Sequence, residues 1–370
     1  MTLFRFAVLM AVVLTSACDG GSRDGAVRDT AVDCRKFGFS ATQESETGRA
    51  WGGRGWQSCA VSMPLPGGDE SLYATLFLPG DLRPEEAALP AVVIGPGAWP
   101  LSDKATLDIQ ERYHWAAQEL ASYGYVALTV NPRGFVNSAP ENAEDYDEYV
   151  EALSLGLSYL VGRDNPVAWR IDARNLGLAG HSLSARVSSV LQSEIGGLAA
   201  IVAWDNLASD ARGDAGSYAR GNDRFGAPAV AVQPRVPAMG QASDSYESGI
   251  GMDFTEEDKK TAFNVWRSHG LESMQVVFAG ADHGSWSYSL RDDPRIEPPA
   301  LSSLRVYQYF TRAWFDLHLR GRVSAISKLT TPYVEGMGPQ QLYSSSYLSA
   351  LYLTDMASYD CADLRSGCGF

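Results

Sequence analysis

The sequence predicts a doubly wound, mostly parallel α/β sheet with helices on both faces. Three observations carry that expectation. From residue 70 to about residue 320, short β-branched runs alternate with amphipathic stretches. Most of the runs are almost continuously apolar rather than alternating in and out, which a sheet covered on both faces requires. With 370 residues, 45% hydrophobic and 20% charged, the chain is long enough and apolar enough for a large core, which excludes a disordered or collagen-like polymer.

The predicted strands are Leu72–Leu78, Ala91–Gly95, Tyr125–Val130, Leu176–Gly180, Ala199–Trp204, Val236–Gln241 and Gln275–Gly280. Helices are predicted between them. Asp108–Tyr123 stops at Gly124, and Ala143–Val161 stops at Gly162 and Pro166. Ser184–Glu194 follows a strand directly. Thr255–Ser268 opens on Thr255-Glu-Glu-Asp, a capping residue with an acidic first turn, and Ser302–Leu319 is the last long helix. The connection 206–234 shows little helical or strand signal; so long a segment in a compact domain reads as a lid-like loop over a cleft. The tail 322–370 is expected to pack on the domain as a C-terminal extension, pinned by its cysteines.

Residues 1–17 read as a signal peptide: Arg5, an apolar run from Phe6 to Leu14 too short to span a bilayer, then small residues. The segment Leu14-Thr15-Ser16-Ala17-Cys18 resembles a bacterial lipoprotein box, with Thr15 where the leucine usually stands. The resemblance implies that Cys18 becomes a lipidated N-terminus, a membrane-anchored protein facing the periplasm or the cell exterior. Cleavage without lipidation is the alternative. Residues 18–32 would then be a flexible tether and 33–370 a single domain. The other four cysteines are even in number. Cys34 with Cys59 and Cys361 with Cys368 are the expected disulfides, although four cysteines allow three connectivities. Any of these pairings implies an oxidising compartment.

Net charge is −14, and removal of residues 1–17 takes one Arg and leaves about −15. No cluster of Lys and Arg offsets it, so a nucleic-acid partner is not expected. A monomer is the expected state, with the lipid anchor as its sole membrane contact. Aromatic residues are abundant, with nine Trp and 17 Tyr, and most of them are expected in the core.

The chemistry centres on Asn175-Leu-Gly-Leu-Ala-Gly180-His181-Ser182-Leu183-Ser184-Ala185, a strand entering a helix through a Gly-x-Ser-x-small turn. This resembles the nucleophile elbow of the α/β-hydrolase superfamily, where residues two before and two after the serine are small because backbone and helix come too close for larger side chains. Ser184 stands where glycine is commonest. The bland reading is a serine that merely caps a helix. A serine hydroxyl needs a base and an orienting acid, which this family supplies in the chain order Ser, Asp or Glu, His. Of five His, only His283 falls in a loop just after a strand and before the last long helix. Asp244, after the strand Val236–Gln241, is the expected acid; Asp205, directly after Trp204, is the competitor, and Asp282 ranks third. The resemblance further implies oxyanion donors at Leu183 and, in the Pro96-Gly97-Ala98 turn, at Ala98. Trp99 would form an apolar wall of the cleft. The Pro96-Gly97 turn, Asn131-Pro132-Arg133-Gly134 and Ala313-Trp-Phe-Asp316 bring the resemblance closest to secreted dienelactone-hydrolase-like and cutinase-like polyester hydrolases, over roughly residues 70–320.

What this implies is a serine hydrolase that cleaves a small or polymeric carboxyl ester. An amidase or peptidase of the same fold, or a lipoprotein that only binds, are the alternatives. No organic cofactor is implied, since Gly-x-Gly-x-x-Gly after a strand and a phosphate loop are both missing. A metal-dependent hydrolase finds no His/carboxylate cluster at helical spacing.

Overall fold

The computed structural model describes residue 34 and residues 45–48, 53–67, 70–82, 86–98, 109–132, 143–212, 226–244, 255–287, 301–332, 334, 342–354 and 358–368. Among these, one mixed sheet of eleven strands forms the frame. In chain order the elements are β1 (Ser45–Gly48), β2 (Trp56–Pro64), β3 (Ser71–Pro79), β4 (Leu89–Gly95), α1 (His114–Ser122), β5 (Val126–Val130) and α2 (Ala143–Val161). There follow β6 (Ile171–His181), α3 (Leu183–Glu194), β7 (Leu198–Trp204), β8 (Ala238–Ser243), α4 (Glu256–Ser268) and β9 (Ser273–Phe278). The chain ends with α5 (Leu301–His318), α6 (Ile326–Leu329), β10 (Ala350–Leu353) and β11 (Tyr359–Cys361).

Across the sheet the order is β1-β2-β3-β5-β4-β6-β7-β8-β9-β10-β11. The six central strands from β5 to β9 run parallel, and the outer strands pair antiparallel. Side chains along the central strands split between two cores. Val93 and Leu178 enter the one that α2, α3 and α4 cover, while Val92, Ile94 and Ala179 enter the one built on α1, α5 and α6. This two-sided cover explains why β4, β5 and β8 are buried at every residue.

The order also sets where chemistry can occur. From β4 the chain leaves towards β5 on one side, and from β6 it leaves towards β7 on the other. A crevice therefore opens beyond the C-terminal ends of β4 and β6, which lie level at the pair Gly95↔Gly180.

All seven predicted strands and all five predicted helices are present, with shifts at their ends. The first predicted helix begins as a 3-10 segment, Ile109–Tyr113, before α1. Thr255 caps α4 as expected: its hydroxyl accepts from Asp258 N–H at 3.2 Å, and its own N–H donates to the Asp258 carboxylate at 2.8 Å. The tail adds β10 and β11 to the edge of β9. The disulfides are Cys34–Cys59 and Cys361–Cys368, the first tying residue 34 to β2 and the second closing the turn after β11. The signal peptide, Cys18, the tether, Trp99 and Arg133 lie outside the described residues. Of the connection 206–234, the two ends are described and run together: Ala211 N–H donates to Val230 O at 2.9 Å and Val232 N–H to Ser209 O at 2.8 Å. Among the described residues no helix is long and apolar enough to cross a membrane.

His318, at the end of α5, shows how the core responds to pH. Burial pushes its imidazole down to about 3, and the Glu272 carboxylate 3.3 Å away does not offset that. Below pH 6.5 the unfolded chain takes up a proton here that the folded one refuses, so stability falls as pH drops from 6.5 towards 3. In urea titrations His318→Gln should flatten that decline by about one proton, or about 1.4 kcal/mol per pH unit.

Candidate active site

Ser182 sits at the turn between β6 and α3 with φ 54° and ψ −111°, a backbone conformation that a side chain rarely adopts. The strain is held from both sides. Ser182 N–H donates to Trp204 O at 2.9 Å, and its carbonyl accepts from Ala185 and Arg186 in the first turn of α3. The turn is so tight that a Cβ on Gly180 would come within 2.6 Å of the Ser184 carbonyl carbon, which accounts for the small residues on both sides of the serine. Ser184 keeps its hydroxyl by donating it to Pro96 O at 2.6 Å. The Ser182 side chain makes no capping hydrogen bond to α3, so the helix-cap reading of this serine fails. Leu183 opens α3, where N–H groups have no intrahelical acceptor and the helix dipole favours negative charge.

His283 starts a short 3-10 turn, His283–Trp286, after β9. Its Nδ1 lies 2.7 Å from Asp205 Oδ2. Because the carboxylate can only accept, Nδ1 carries the proton, and a neutral ring then has its lone pair on Nε2, the form a base requires. The ring stands 4.7 Å from that of His181, the residue preceding Ser182.

The carboxylate beside His283 is therefore a correction to the sequence expectation. Asp205, directly after β7, orients His283; Asp244 does not. Asp205 Oδ1 accepts from both the N–H and the hydroxyl of Ser243 at 2.8 Å. Burial opposes ionisation of this carboxyl, yet the His283 hydrogen bond, the nearby charges of His283 and Lys259 and the Ser243 N–H outweigh it and hold the group below the usual carboxylate range. Lys259 of α4 is buried with its ammonium donating to Ser243 O at 2.6 Å, and burial lowers its own pKa. Asp244 faces elsewhere. It bonds Ser344 of the tail, accepts from Gly280 N–H at 3.2 Å, and donates its N–H to Ala281 O at 3.0 Å. Its work is to tie the tail to the segment entering His283. Asp282 closes its own turn through Ser285 at 2.8 Å.

The physical reason for the shift lies in the register. Trp204 of β7 stands level with Gln241 of β8, so Asp205 emerges one step beyond that pair and Asp244 three steps beyond it. Nothing in one-dimensional order distinguishes them. The one signal available was that Asp205 directly follows the predicted run Ala199–Trp204, whereas two residues separate Asp244 from the predicted run ending at Gln241.

The expected oxyanion residues fall on the two sides of the crevice, Leu183 after β6 and the half-buried Ala98 three residues beyond β4. Reasoning from sequence also missed Tyr113, whose hydroxyl lies 2.7 Å from His181 Nδ1. Among the described residues, no three His, Cys, Asp or Glu side chains converge as metal ligands. The chain matches no protein-family model and no curated protein.

The assignment of the acid has a direct spectroscopic check. The His283 Nδ1 proton should give a far-downfield NMR signal that Asp205→Asn abolishes or moves strongly upfield. Asp244→Asn should leave that signal in place and instead lower folding stability by about 1–3 kcal/mol in urea titrations.

Proposed function

We propose that this protein is a serine hydrolase of the α/β-hydrolase fold that cleaves carboxyl esters through an acyl-enzyme on Ser182. The observation that carries the reading is the conjunction beyond the C-terminal ends of the parallel strands: a strained serine after β6, and a His283–Asp205 pair from the segments that follow β9 and β7. The strand order and the turn between β6 and α3 support the resemblance drawn from sequence.

In the first half-reaction Ser182 Oγ attacks the ester carbonyl carbon while His283 Nε2 takes the hydroxyl proton. Asp205 holds the ring in the right tautomer and stabilises the imidazolium that forms. Negative charge develops on the carbonyl oxygen, where Leu183 N–H and Ala98 N–H would donate. The tetrahedral intermediate collapses with loss of the alcohol, which leaves with the proton from His283. In the second half-reaction water, deprotonated by His283, attacks the acyl-enzyme and releases the carboxylic acid and Ser182. An alkoxide leaves more readily than an amine, so esters rather than amides are the proposed substrates.

The two disulfides support an oxidising compartment, in keeping with a protein exported and anchored through Cys18.

Hydrolysis of p-nitrophenyl esters from acetate to palmitate tests the reading. Ser182→Ala should lower kcat by about 10^4-fold or more. Asp205→Asn should cost about 10^3- to 10^4-fold, and Asp244→Asn less than about tenfold. A fluorophosphonate should label the wild type and leave Ser182→Ala unlabelled. A wild type that neither turns over any ester nor takes the label is a binding protein, and labelling without ester turnover means that the acyl bond is an amide.

A further inference from the structure

We propose that Tyr113 and His181 are positioning residues for the second oxyanion donor, Ala98 N–H, and that they lock its turn to the segment that carries the base. The inference rests on the serine-hydrolase reading and extends it to residues that do not touch the substrate.

Three hydrogen bonds join the two sides of the crevice. Gly97 N–H donates to Tyr113 Oη at 2.9 Å, Tyr113 Oη lies 2.7 Å from His181 Nδ1, and His181 Nε2 lies 2.8 Å from His283 O. The ends of this chain fix its polarity. A main-chain N–H can only donate and a carbonyl can only accept, so Tyr113 accepts from Gly97 and gives its own proton to His181 Nδ1. His181 must then carry its proton on Nε2 and donate it to His283 O. Neither Tyr113 nor His181 can turn round without breaking two bonds. Gly97, Tyr113 and His181 are all buried, and a Cβ on Gly97 would stand 2.5 Å from His181 Nδ1, so glycine alone permits this approach. Burial and the neighbouring His283 push the His181 ring down to about 3, which keeps the neutral form the chain requires.

The same turn is held at its carbonyls. Pro96 O accepts from the Ser184 hydroxyl at 2.6 Å, and Gly97 O accepts from Tyr149 Oη at 3.2 Å. The peptide plane from Pro96 to Gly97 is thus gripped at both its C=O and its N–H. The next plane is gripped at its C=O. In a trans peptide the N–H points opposite to the C=O, so fixing Gly97 O towards Tyr149 of α2 sets the direction of Ala98 N–H. A donor fixed before charge develops requires no reorganisation in the transition state, and that is the advantage a positioning network supplies.

The test compares wild type with Tyr113→Phe, His181→Asn and the double variant on a p-nitrophenyl ester. Tyr113→Phe should lower kcat about 10- to 100-fold with KM changed less than about threefold. Affinity for a trifluoromethyl ketone, whose adduct carries an oxyanion, should fall by a similar factor, while affinity for the product acid holds. A merely structural role would not separate those two ligands. His181→Asn keeps an acceptor for Tyr113 but loses the donor to His283 O, so it should fall between the two, and the double variant should cost no more than Tyr113→Phe alone. If Tyr113→Phe does not fold, Ser184→Ala, which removes the hydroxyl on Pro96 O but keeps the small side chain, should show the same split of kcat from KM. A kcat within about threefold of wild type, or a rise in KM at constant kcat, overturns this inference and leaves the hydrolase reading intact. A wild type without turnover and without fluorophosphonate labelling overturns both.

Discussion

The contact between Gly180 and Ser184 is the constraint on which the site depends. A strand that ends and a helix that begins within one residue pass so close that a Cβ on Gly180 would stand 2.6 Å from the Ser184 carbonyl carbon. That closeness throws Ser182 into a left-handed conformation and sets the N-terminus of α3 directly beneath it. It also brings Ser184 against the turn after β4, since β4 and β6 are paired up to Gly95↔Gly180 and a Cβ on Gly95 would meet the Ser184 hydroxyl at 2.4 Å. One close approach therefore builds the serine, the helix end and the neighbouring turn together. Had position 184 been glycine, the Pro96 carbonyl would have lost this hydroxyl donor.

The central strands were legible because burial on two faces leaves an unbroken apolar signature, as in Ala91-Val-Val-Ile94. Except for β3, the outer antiparallel strands were not. β2 reads Trp56-Gln-Ser-Cys-Ala-Val-Ser-Met-Pro64, with polar residues throughout, and β10 has only four residues. Such strands exist through pairing with a neighbour that is distant in sequence. The same distinction runs through the site. The turn at Ser182 was readable because it has a local steric signature, and the placing of His283 after a strand because so few histidines compete. The carboxylate partner of His283 was misplaced because the choice between Asp205 and Asp244 depends on how two parallel strands align laterally, and chain order carries no information on that.

Asp244 nevertheless has a role near the site. Ser344 and Gly280 converge on its carboxylate, and Ala279 N–H donates to Leu342 O at 2.9 Å. The tail thus continues the sheet past β9 and braces the residues that lead into His283. Arg365, in the turn closed by Cys361–Cys368, donates to the carbonyls of Ser344 and Ser345 at 3.2 and 2.7 Å. The C-terminal disulfide is therefore connected through Arg365 and Ser344 to Asp244, and through Asp244 to the His283 segment.

Two histidines stand side by side in this site, and the surroundings of each determine what it can do. His283 has one nitrogen committed to a carboxylate. His181 has both nitrogens committed to neutral groups and is fully buried, so a second charge 4.7 Å from a protonated His283 would be doubly unfavourable. The residue next to the serine is fitted to be a strut: both nitrogens of its ring are already fixed, and burial with the neighbouring His283 keeps that ring neutral.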